Sequence, residues 1–183
     1  MNQYVLMIIP PEEIISFVDS YRRRFAKYTS YIIPPHFTIY PPFYCELSED
    51  KLIKQLSGAF SKVKSEKISM KTVSFFEGKN NVAFFSPTQE SSKFIVHLLS
   101  MATNCLLNKV KNVYDDYNFT PEKFNPHMTI AEKVPPEIFP SVKDELNKIN
   151  FNYSFDVDAV YLYKQSSNST VWSKMAKIKL SLF

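Results

Sequence analysis

Apolar residues along this chain are grouped in two ways. Short continuous runs closed by proline or small polar residues read as strands, and stretches with apolar residues recurring every three or four positions read as helices. The first run, Gln3 to Ile9, is β-branched toward its end and stops at Pro10-Pro11, a pair that can open a helix. The spacing predicts that helix over 11–27, with Ile14, Ile15, Phe17, Val18, Tyr21 and Phe25 as its apolar stripe. A short strand over 36–40 follows, bracketed by Pro34-Pro35 and Pro41-Pro42. Ser48-Glu49-Asp50 then starts a helix that runs to Val63. Residues 67–76 and 81–86 form a hairpin around Glu77-Gly78-Lys79-Asn80. A helix over 90–109, a polar and aromatic loop over 112–125 and a strand over 127–133 come next, and Pro135-Pro136 opens a helix ending at Ile149. Two strands, 152–164 and 170–181, close the chain around Ser166-Ser167-Asn168-Ser169. Strands that alternate with helices and then pair locally indicate an α+β fold with antiparallel sheet, in one domain over 1–183.

Within this pattern one short word occurs twice. His36-Phe37-Thr38-Ile39 and His127-Met128-Thr129-Ile130 share the form His-x-Thr-Ile, each directly preceded by proline (Pro35, Pro126). The chain has only three histidines, so two in one matched setting suggest a pseudo-symmetric site with an imidazole from each half. In a strand, residues two apart share a face, so each histidine projects beside its threonine while Phe37 and Ile39, or Met128 and Ile130, anchor the other face. The proline suits the first residue of a strand and stiffens the approach to the histidine. Two imidazoles of near-neutral pKa can divide acid and base work, and threonine hydroxyls can donate to the non-bridging oxygens of a phosphate. That set fits displacement at phosphorus without a metal or other cofactor. A zinc site wants three or four ligands, and neither His-x-x-x-His nor an adjacent carboxylate pair occurs. The third histidine, His97, falls in the 90–109 helix as a structural or surface residue.

Composition removes alternatives. Twelve prolines against two glycines leave no glycine-rich loop for a P-loop or a dinucleotide fingerprint. A net charge of +4 is compatible with an anionic substrate, but the basic residues alternate with acidic ones and draw no nucleic-acid patch. Cys45 and Cys105 have neither zinc-ribbon nor disulfide-framework spacing. The apolar run near the start is too short for a signal peptide or a membrane span, so a cytoplasmic protein without membrane contact is expected.

At these residues the chain resembles the two-histidine (2H) phosphoesterase superfamily, defined by two His-x-Thr/Ser-x motifs, each followed by a hydrophobic residue. It is most similar to the YjcG-like branch among the 2′-5′ RNA ligase-like proteins. Ser20-Tyr21-Arg22-Arg23-Arg24-Phe25, Ile33 to Ile39, Pro42-Phe43 and Tyr163-Lys164-Gln165 carry that likeness. The resemblance implies a bilobal fold, two antiparallel sheets around a central cleft with outer helices. It implies that His36 and His127 are the acid–base pair and that Thr38 and Thr129 bind phosphate. The implied activity is metal-independent cleavage or ligation of 2′,3′-cyclic or 2′-5′ phosphodiesters, with RNA or a nucleotide as partner. Where many relatives carry a basic residue soon after a motif, Tyr40 follows the first, and Ala131-Glu132 precede Lys133 after the second. Fewer fixed charges favour a small phosphoester over long RNA, and a non-catalytic module that binds nucleotide or RNA ends in the same cleft is the alternative.

Secondary candidates have plain readings beside the functional ones. Tyr40, two residues beyond Thr38, should share the site face, and Tyr40 or Phe43 could stack on a base or simply pack the proline-rich turn. Lys133 could reach a phosphate. Arg22, Arg23 and Arg24 fan around their helix, so at most one or two can face a ligand, and a solvated face is the default. Phe119 and Phe124 wall the cleft or pin their loop, and Trp172 is expected in the core.

Overall fold

A computed structural model describes residues 1–114 and 120–181. Its strands form two antiparallel sheets. The first has the order β5-β2-β1-β8-β9, built from β1 (Gln3–Ile8), β2 (Phe37–Cys45), β5 (Val110–Asn112), β8 (Ala159–Gln165) and β9 (Ser173–Lys179). The second has the order β6-β4-β3-β7, from β3 (Glu66–Phe76), β4 (Asn81–Pro87), β6 (Met128–Val134) and β7 (Tyr153–Val157). Four helices back them: α1 (Glu12–Arg24), α2 (Glu49–Phe60), α3 (Gln89–Leu106) and α4 (Phe139–Leu146). This is the α+β architecture the pattern predicts, with one histidine strand, β2 or β6, in each sheet.

The helices cross between halves. α1 joins β1 to β2 of the first sheet, yet it packs against β6 of the second. Its Phe17 meets Phe85 on β4 and Tyr153 on β7, with ring centroids 5.4 and 4.7 Å away. α3 follows β4 of the second sheet and lies against β2 of the first as well as against β3 and β4. Each half's helix therefore covers the other half's histidine strand. The core sits on these helix-facing sides, where Leu6, Phe37, Ile39, Phe85, Met128 and Ile130 are closed to solvent.

Several boundaries differ from the sequence reading, for identifiable reasons. The expected strand 152–164 is two strands in different sheets, with Asp158 at the crossing. α3 ends at Leu106, short of the expected 109, and Asn108, with φ 59°, turns the chain into β5, a strand the pattern did not predict. An amide side chain tolerates that left-handed conformation better than most. α4 is shorter than expected, because a turn over 135–138 precedes Phe139. The first helix ends at Arg24, and a 3₁₀ turn, Ala26–Tyr28, follows. Trp172, expected in the core, is half-buried just before β9, where its backbone N–H donates to the Ile32 carbonyl at 3.1 Å.

The largest departure explains the site. Pro41-Pro42 was expected to end the second strand, but β2 runs through both to Cys45. Thr38 pairs with Met7, Tyr40 with Leu6 and Phe43 with Tyr4, so Ile39 is an extra residue and the two prolines together oppose Val5. Prolines at such a bulge forfeit no ladder bond. The second motif repeats this residue for residue. Thr129 pairs with Phe84, Ala131 with Ala83 and Val134 with Asn81, leaving Ile130 extra and Glu132-Lys133 opposite Val82. The two motifs thus share a double bulge as well as a tetrapeptide.

Candidate active site

Each histidine stands at the mouth of its strand and is held the same way. His36 Nδ1 lies 2.8 Å from the Pro34 carbonyl, and His127 Nδ1 lies 2.8 Å from the Asn125 carbonyl. In both cases the acceptor belongs to the residue before the proline. The fixed φ of Pro35 and Pro126 holds that carbonyl in place. A carbonyl can only accept, so Nδ1 carries the proton and Nε2 is the nitrogen free for chemistry in the neutral ring.

Both imidazoles and both threonines line one cavity of ≈870 Å³ between the sheets. All four side chains are half-buried, walled by protein and open to the cavity. His127 packs against Phe76 and Phe84, with ring centroids at 5.2 and 5.3 Å. Burial lowers its pKa, partly offset by the bond to the Asn125 carbonyl. His36 is lowered further, to about 4. Burial is again the first cause, the Pro34 carbonyl opposes it, and the charges of His127 and Arg22 push the same way as burial. Burial thus disfavours imidazolium at both positions, more so at His36.

The secondary candidates separate. Lys133 lines the cavity at the second bulge, exposed and in a left-handed conformation with φ 54°. The matching position in the first motif is Pro42, also on the cavity wall, so this pair of bulges carries a cation on one side only. Tyr40 and Phe43 do not share the site face. They are 8% and 0% exposed and pack edge to face in the core, ring centroids 5.4 Å apart. The extra residue Ile39 reverses the alternation beyond Thr38, so Tyr40 points to the helix side beside Leu6. Phe124 lines the cavity, whereas Phe119 lies outside the described residues. His97 is on the surface.

Sequence reasoning missed two cations. Lys123 lines the cavity from the loop before the second motif, with no pattern to mark it. Arg22 was given a solvated helix face, yet it is 5% exposed and lines the cavity, while Arg23 and Arg24 are exposed. Its guanidinium binds Asp19 at 2.9 Å and the carbonyls of Ser30 and Ile33. The one legible signal was its place in the stripe with Val18 and Phe25. Among the described residues no three His, Cys, Asp or Glu side chains are placed to hold a metal ion, and no helix is long and apolar enough to cross a membrane.

Known proteins resemble the chain along most of its length. A sequence model of the 2′-5′ RNA ligase superfamily matches residues 10–169. A Staphylococcus aureus (strain JH1) protein, provisionally named a phosphoesterase, is 25% identical over 177 residues, 96% of this chain and 98% of its own. Among solved structures, E. coli LigT complexed with 3′-AMP superposes with a TM-score of 0.60 at 16% identity, over 98% of each chain. TT0787 of Thermus thermophilus superposes with a TM-score of 0.66 at 17% identity, over 97% of each. At such identities the structural likeness is one of fold.

Proposed function

The chain belongs to the 2′-5′ RNA ligase superfamily, and from that membership we propose that it is a metal-independent phosphoesterase opening 2′,3′-cyclic or 2′-5′ phosphodiesters of RNA or nucleotides. The observation that carries this reading is the pair of imidazoles, each fixed through Nδ1 to a backbone carbonyl, that share one cavity with two threonine hydroxyls. In the cyclic case, Nε2 of one histidine takes a proton from water as its oxygen bonds to phosphorus. The ring P–O bond breaks, and the other imidazole, as imidazolium, protonates the departing ribose oxygen. Thr38 and Thr129 donate to the non-bridging oxygens, while Lys133 and Lys123 meet the phosphate charge.

Burial lowers the pKa of both imidazoles. A bound phosphate anion favours the imidazolium form, so substrate itself creates the acid. The 3′-AMP held by LigT is a phosphomonoester of the kind this reaction releases. If the cleft only binds nucleotide or RNA ends, the same ligands will associate without product.

Steady-state hydrolysis of a nucleoside 2′,3′-cyclic monophosphate separates the two. His36→Ala and His127→Ala should each lower kcat by about 10²–10⁴-fold in a folded protein, and EDTA should leave wild-type turnover unchanged. Turnover abolished by EDTA, or retained in both variants, overturns the proposal.

A further inference from the structure

The segment Thr29–Pro35 is a strap between the two lobes. It leaves α1, which packs on the β6 side, and delivers His36 to β2 of the first sheet. At its start the Thr29 hydroxyl lies 2.9 Å from the carbonyl of Ile130, the bulge residue of the second motif, and 3.0 Å from that of Phe25. At mid-strap the Ile32 carbonyl accepts from the Trp172 backbone N–H. One side chain holds the strap at two further carbonyls. Arg22 Nη2 donates to the carbonyls of Ser30 and, at 3.3 Å, Ile33, and the guanidinium lies 5.0 Å from the Tyr31 ring centroid. The next carbonyl along, that of Pro34, is the one that fixes His36 Nδ1.

We propose that Arg22 is the positioning residue of this site. By clamping the strap from the far lobe it sets where His36 stands relative to His127. The proposal rests on the two-histidine reading. Lysine cannot replace the planar fork, which reaches two carbonyls and a carboxylate at once.

Two variants test the grip. Arg22→Met removes every polar contact to the strap, and Arg22→Lys keeps the charge without the planar fork. In Arg22→Lys, amide exchange of residues 30–33 and 36 should accelerate in the free protein while that of β6 stays at the wild-type rate, and kcat should fall by about 10- to 100-fold with KM changing less. Arg22→Met should show the same pattern at least as strongly. Wild-type exchange and kcat in Arg22→Lys, or acceleration spread equally over β6, overturns the proposal. Should Arg22→Met fail to fold, Arg22→Lys still decides the question. The exchange measurement needs no substrate, so a wild type without turnover sinks the functional reading while the Arg22 result stands by itself.

Discussion

An imidazole working on a phosphodiester needs a fixed tautomer and an unoccupied nitrogen, and here a single backbone carbonyl supplies both to each ring. The histidines and threonines were legible in the sequence because histidine is scarce in this chain and the word repeats with its proline. Arg22 was not, because burial of a cation depends on what the strap does several residues later. The buried rings also leave a mark on stability. An unfolded imidazole titrates near 6.5, whereas His36 titrates at about 4 and His127 below its ordinary value. Between these values the unfolded chain holds more protons, so stability rises with pH. The contribution is present in full above about pH 6.5 and is lost as the pH falls through the folded values. Urea midpoints should therefore decline from pH 7 toward pH 4, and less steeply in the His36→Ala/His127→Ala double variant. Parallel curves would contradict the burial argument.

At the scale of the strand, simple alternation accounts for His36 and Thr38 and then fails at Ile39. One extra residue reverses the faces that follow it, which is why Tyr40 leaves the cleft and Pro41 enters it, until the second bulge at Pro41-Pro42 restores the alternation and leaves Pro42 on the cavity wall as well. Nothing in the composition of Phe37–Cys45 announces the bulge. The two prolines are its only sign, and they read as a strand end until the pairing with β1 is known. The consequence is measurable. Tyr40→Phe should leave kcat and KM within about 2-fold, since its ring packs in the core away from bound substrate. Phe43→Ala, at a fully buried position, should cost about 3–5 kcal/mol of stability with the kinetics of the folded protein retained. A selective rise in KM for either variant would return those rings to the substrate.

Over the whole molecule, the order of helices and strands was readable from periodicity, the two-sheet plan came from the family resemblance, and the matched motifs gave the symmetry. The exchange of α1 and α3 between halves was not readable, because an apolar stripe specifies that a face is buried without naming its partner. The split at Asp158 was hidden for a similar reason: β7 and β8 make one continuous stretch in sequence, though they serve different sheets. These crossings make the lobes interdependent, so the spacing of the two histidines is a property of the entire fold. The measurement that tests the central claim most directly is a phosphorus NMR time course on a nucleoside 2′,3′-cyclic monophosphate in EDTA. Wild type is run beside the His36→Ala/His127→Ala double variant. The account predicts a growing phosphomonoester signal with wild type alone, its chemical shift reporting which ring bond opened. No monoester from wild type, or equal signal from the double variant, would contradict it.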